Sequence, residues 1–131
     1  MVVFRIVRRF GNFKIVVYGL LCRNAYGIIS RTKKGRNHFL ILDFDGKKPD
    51  LRKIPKVEYF YKTKHGWHVI TSQVVSFRKF VKLALDLGAD PKWVGIGLKR
   101  GYWFIEIKDK NVLRKLLRDG RYRFMRIERA D

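Results

Sequence analysis

The sequence predicts an α+β protein with an RRM-like, ferredoxin-like βαββαβ core, an N-terminal β-hairpin and a C-terminal β-helix-β extension. Three observations lead there. Several short segments alternate apolar and polar residues with the period of a strand and are separated by glycine-bearing turns. Two segments instead carry apolar residues at helical spacing, each behind a capping side chain. From Phe39 to Leu98 the order of these segments is β–α–β–β–α–β. With 131 residues, 47% of them hydrophobic, the chain suits one domain spanning 1–131 with a real core.

The elements follow in order. Val2 to Arg9 alternates as a strand, Gly11-Asn12 turns, and Phe13 to Tyr18 returns. Leu20 to Arg31 suits a helix interrupted near Gly27, and Lys33 to Asn37 is a basic loop. Phe39 to Phe44 is apolar on both faces, as a central strand is, and Asp45-Gly46 ends it. Lys47 to Pro55 is a loop or short helix. Val57 to Tyr61 and Trp67 to Thr71 form a hairpin around Gly66. Ser76 caps a helix bearing Phe77, Phe80, Val81, Ala84 and Leu87, and Gly88 stops it. Trp93 to Leu98 and Tyr102 to Ile107 read as a hairpin turned at Lys99-Arg100-Gly101. Asp109 caps a last helix, Gly120 ends it, and Tyr122 to Ile127 is a final strand. The expected sheet from Phe39 to Leu98 is four-stranded and antiparallel, with helices on one face and the first and third strands as central neighbours.

Charge indicates a partner. Lys plus Arg number 31 against 11 Asp plus Glu, a formal net charge of +20. A compact fold repels itself at that charge, which points to a polyanion, nucleic acid before an anionic membrane. No acid precedes Asp43. Cys22 is the single cysteine, which rules out an internal disulfide and a cysteine-rich zinc site. The N-terminus lacks the apolar stretch of a signal peptide, and no apolar run is long enough to span a bilayer. The expectation is an intracellular, cytoplasmic protein, in the host cytoplasm if the source is a virus.

Strand parity gathers the candidate site. Asp43 and Asp45 share one face of their strand, with Leu40, Leu42 and Phe44 on the other. Antiparallel pairing brings His68, at the start of the later strand, towards them. Two carboxylates at this spacing suit Mg²⁺ or Mn²⁺, which prefer oxygen ligands. Glu106, on the face of Tyr102 and Phe104, is the preferred third acid, with Asp109 as the other choice. The expected catalytic set is therefore Asp43, Asp45, His68 and Glu106, and the metal set is Asp43, Asp45 and Glu106. Asp45-Gly46 is also an ordinary turn signal, and Asp43 could pair with any of many cations.

These motifs resemble the archaeo-eukaryotic primase, or primase-polymerase, superfamily. Phe39-Leu40-Ile41-Leu42-Asp43-Phe44-Asp45 is similar to its first motif, an apolar strand ending in Asp-x-Asp. Thr63-Lys64-His65-Gly66-Trp67-His68-Val69 is similar to its second, a small-residue turn leading to a strand histidine. The resemblance implies that Asp43 and Asp45 bind catalytic metal and that His68 contacts the phosphates of an incoming nucleoside triphosphate. It places Ile105-Glu106 at the third motif, with Glu where the family has Asp. Gly66 stands where the family often has Ser. The implied protein is a minimal or reduced member from an archaeal virus or plasmid, acting in replication of a mobile element.

Arg5, Arg9, Lys33, Lys34, Arg36, Lys62, Lys64, Lys99 and Arg100 fall on strands or hairpin turns and are candidates to grip phosphates. Tyr59, Tyr61, Trp93 and Tyr102 are candidates to stack on unpaired bases. The sheet lacks the aromatic pair of RNA-reading sheets, which favours DNA over RNA. A non-catalytic DNA- or RNA-binding protein remains the alternative, and a nucleoid-like structural protein the third class.

Overall fold

A computed structural model of the chain describes residues 2–10 and 13–130, with side chains for residues 25–127. It is α+β, with two antiparallel sheets and three helices. The chain forms two compact units, residues 1–26 with 126–131 and residues 27–125. In the first unit β1 (Val2–Phe10) and β2 (Phe13–Ile29) form an antiparallel hairpin running from Val2 opposite Leu21 to Phe10 opposite Phe13. A last strand, β7 (Arg123–Ala130), pairs with β2.

The second unit holds the remaining elements. They are β3 (His38–Asp45), a single 3₁₀ turn (Leu51–Lys53), β4 (Val57–Lys62), β5 (Gly66–Val75), α1 (Phe77–Asp86), α2 (Pro91–Arg100), β6 (Phe104–Glu106) and α3 (Lys110–Asp119). Its main sheet has the order β3-β5-β4. The expected antiparallel contact of the strands carrying Asp43 and His68 is thus present. The core is aliphatic and aromatic: Leu40, Ile41, Leu42, Val69, Ile70, Phe80, Trp103, Ile105, Leu116 and Tyr122 are all buried. Each such side chain contributes about 1.5–3 kcal/mol relative to exposure.

Several expectations are corrected. Leu20–Arg31 is not a helix; residues as far as Ile29 belong to β2. Gly27 lies so close to β6 that a Cβ there would collide with the Ile105 carbonyl oxygen, so the glycine permits strand pairing instead of interrupting a helix. Trp93–Leu98 is not a strand but the middle of α2. Asp90 accepts the Lys92 N–H as N-cap, Pro91 opens the first turn, and Gly101 closes it with a φ of 94°. Gly97 explains the apolar-glycine alternation: it lets the helix rest directly on the Trp103 indole. Lys99 and Arg100 therefore lie in the last turn of a helix, not in a hairpin turn. The sheet has three strands instead of four, and only a 3₁₀ turn separates β3 from β4. The βαββαβ order is consequently not completed.

Nor are helices confined to one face. His38 and Phe39 are strand neighbours and so point to opposite faces. The His38 ring packs on Phe77 and Phe80 of α1 and on Trp103. Phe39 packs on Tyr122, which also meets Tyr59. Tyr59 donates its hydroxyl to Asp119 Oδ2 at the end of α3 (2.7 Å). Arg121 fixes that end, donating to both Asp119 oxygens (2.6 and 2.7 Å) and to Glu58 Oε1 of β4 (3.1 Å). Its guanidinium holds the Asp119 carboxyl down at about 2.

Candidate functional site

Asp43, His68 and Tyr61 form one row across the sheet. Asp43 of β3 stands opposite His68 of β5, and His68 stands opposite Tyr61 of β4. Residues directly opposite on antiparallel strands share a face, so the three side chains meet. His68 Nε2 lies 3.4 Å from Asp43 Oδ1. His68 Nδ1 lies 3.0 Å from the Tyr61 hydroxyl, with the two rings nearly perpendicular at 83°.

The electrostatics assign the protons. Burial, followed by the charges of Asp43 and Asp109, pushes the Tyr61 phenol well above its ordinary range, so it keeps its hydrogen. The Asp43 carboxylate can only accept, so it favours the neutral tautomer with Nε2–H towards it, which leaves Nδ1 to accept from the phenol. The Asp43 side chain is 31% exposed and that of His68 12%, so this N–H and this carboxylate sit at the rim of a protein-lined surface.

The turn between β4 and β5 supports the row. Thr63 N donates to Gly66 O (2.8 Å), Gly66 N donates to Thr63 Oγ1 (3.0 Å), and Gly46 N donates to His65 O (2.7 Å). Gly66 lies opposite Asp45 and is buried. A Cβ on it would collide with the Phe44 carbonyl oxygen, so this position requires glycine. Because Asp45 faces a residue without a side chain, its exposed carboxylate stays open beside Asp43. The Asp43 carbonyl accepts the Asp90 N–H (2.8 Å), tying the start of α2 to this end of β3.

Glu106 lies on β6 opposite Gly27 of β2, and among the described residues no three His, Cys, Asp or Glu side chains gather as metal ligands. Asp109 is the second acid felt by Tyr61, but its Oδ1 is taken by the Asn111 and Val112 N–H groups as the cap of α3. The two oxygen-bearing groups at hand, Asp43 and Asp45, fit a Mg²⁺ or Mn²⁺ ion that takes its other ligands from water and phosphate.

The candidate cations divide between two ends of β3. Lys62 and Lys64 flank the β4–β5 turn at the Asp43–Asp45 end, and both are exposed. There too Phe60 and Trp67 stack at 4.8 Å on the opposite face of the sheet, with the Lys48 ammonium over both rings. Lys33, Lys34 and Arg36 are exposed in the β2–β3 loop at the other end, and Lys99 and Arg100 are exposed in the last turn of α2. Arg5 and Arg9 fall on β1, and their side chains lie outside those described.

Of the four aromatics expected to stack on bases, three are otherwise engaged. Tyr59 is bonded to Asp119, Tyr61 to His68, and Trp93 Nε1 to the Phe104 carbonyl. The fourth, Tyr102, carries two guanidiniums, Arg31 at 5.8 Å and Arg100 at 5.0 Å. Arg31 and the role of Tyr61 toward His68 were missed from sequence. The period-two spacing of Tyr59 and Tyr61 in the partner strand could have suggested the latter.

The chain matches no protein-family model, no curated protein and no solved structure. Among the described residues no helix is long and apolar enough to cross a membrane.

Proposed function

We propose that this is a nucleic-acid-associated protein of primase-polymerase type, minimal or reduced, acting in the cytoplasm on replication of a mobile element. The observation that carries the reading is the Asp43–His68–Tyr61 row, with Asp45 open beside it, in a chain of net charge +20. Asp43 and Asp45 would hold Mg²⁺ or Mn²⁺. When bound, the ion neutralises a triphosphate and activates an attacking hydroxyl. His68 offers Nε2–H, only loosely engaged by Asp43, to a phosphate oxygen. Tyr61 holds the imidazole in the tautomer that makes this possible. The order β3-β5-β4 supports reading these strands as three strands of an RRM-like sheet.

The non-catalytic alternative is favoured by one observation: among the described residues no three His, Cys, Asp or Glu side chains gather as metal ligands. Calorimetry with Mn²⁺, with and without a nucleoside triphosphate, separates the two readings. Metal heat that requires Asp43 and Asp45, with nucleotide incorporation onto a primed template, supports the enzyme. DNA binding without either supports the binding protein.

A further inference from the structure

We propose that the Arg31–Arg100–Tyr102 cluster and the β2–β3 loop form a second nucleic-acid contact, a phosphodiester clamp separate from the carboxylate end. The inference rests on the nucleic-acid reading above but not on catalysis. Arg31 and Arg100 come from different elements and converge on one ring, at 5.8 and 5.0 Å. Like charges brought together this way repel unless an anion lies between them. These two stretches, residues 31–37 and 98–103, hold six Lys or Arg and no Asp or Glu. All six are exposed.

The other arginines with assigned partners behave differently. Arg52 is paired with Asp50, and Arg121 with Asp119 and Glu58. Among the described residues neither Arg31 nor Arg100 has an ion-pair partner. The end of α2 favours cations through its free carbonyl groups, which accounts for Lys99 and Arg100. It does not account for Arg31, Lys33, Lys34 and Arg36, which belong to the loop.

The cluster is also held in place. Ser30 N donates to Trp103 O (2.8 Å), and Trp103 N donates to Ser30 Oγ (2.9 Å). These bonds fix the base of the loop beside the residue that follows Tyr102. Thr32 N donates to Asn37 O (3.1 Å), and Thr32 Oγ1 donates to Lys34 O (2.5 Å), closing the loop on itself. Planar guanidiniums suit phosphodiester oxygens, which they can engage with two parallel N–H bonds. His38 begins β3 at this end and Asp45 ends it, so along the strand the two ends lie roughly 17 Å apart for Asp43 and roughly 23 Å for Asp45, at about 3.3 Å per residue. A nucleic-acid backbone seated here escapes their repulsion.

The test is fluorescence anisotropy with a labelled single-stranded oligonucleotide across a potassium chloride series. It compares the wild-type chain, Arg31→Ala/Arg100→Ala, and the control Lys79→Ala/Lys115→Ala, which removes two exposed charges from α1 and α3. The expected result is a loss of about tenfold or more in affinity for the arginine variant. The slope of log affinity against log salt should also fall by about 1.4, at about 0.7 per lost phosphate contact. The control should retain the wild-type slope to within half that change. Equal losses in both variants would overturn the clamp, because charge alone would then explain them. Unchanged binding by the arginine variant would overturn it while leaving the nucleic-acid reading intact. No binding by the wild type would overturn both, and binding to anionic phosphatidylglycerol vesicles instead would redirect the cluster to a membrane surface.

Discussion

The Tyr61 hydroxyl lies 3.0 Å from His68 Nδ1, and with His68 Nε2–H turned to the Asp43 carboxylate it is the donor to that nitrogen. Tyr61→Phe removes the donor and leaves the packing. The tautomer of His68 should then shift away from Nε2–H, read by ¹⁵N chemical shifts of the ring. Loss of one hydrogen bond should cost about 1 kcal/mol of stability. Nucleoside triphosphate affinity should fall about threefold to tenfold. Unchanged ring shifts in the variant would refute the assignment.

Asp43→Asn keeps the size of the side chain and removes its charge. Mn²⁺ binding in the presence of a nucleoside triphosphate should be lost, as should any nucleotide incorporation. Salt-dependent DNA binding should survive, because the nearby Asp43 charge repels phosphate. A variant that binds Mn²⁺ as the wild type does would remove the metal from this site.

Two glycines of α2 should respond oppositely to alanine. A Cβ on Gly97 meets the buried Trp103 ring, so Gly97→Ala should destabilise by about 1–3 kcal/mol through overpacking. Gly95 has nothing within 4 Å of such a Cβ, so Gly95→Ala should stabilise by about 0.5–1 kcal/mol through helix propensity. Urea denaturation of the two variants checks both signs. Equal shifts would contradict the packing of α2 on Trp103.

Stability should also depend on His38. Burial first, and then the Arg31 charge, hold its pKa below the ordinary value of 6.5. Its Nδ1 is hydrogen-bonded with the Ser30 hydroxyl (2.7 Å), which also accepts the Trp103 N–H. Below about pH 6.5 the unfolded chain takes up a proton that the native chain refuses, so stability falls as the pH drops through that value. Thermal melts from pH 8 to about pH 5 should show this decline. His38→Gln should reduce it, and an equal decline in the variant would shift the cause to other groups.

Much of the second unit was legible in the sequence because its determinants are local. The apolar run ending in Asp43 and Asp45, the hairpin leading to His68, and the Ser76 and Asp109 caps appear where period and capping chemistry placed them. The pairing of Asp43 with His68 also followed, since parity and antiparallel direction suffice to bring them together. The helical signals of Trp93–Leu98 were local too: Asp90 as N-cap, Pro91 in the first turn and Gly101 past the end.

Tertiary structure decided what depends on distant partners. Gly27 reads as a helix interruption until the Ile105 carbonyl is seen against it, and Gly97 as a strand residue until Trp103 is. The role of Tyr61 depends on burial and on charges from Asp43 and Asp109, which no local pattern encodes. The place of Glu106, opposite Gly27, depends on β6 pairing with β2, residues far apart in the chain. Charge and strand parity are properties of the sequence itself, whereas close approach, burial and convergence across elements exist only once the chain has folded.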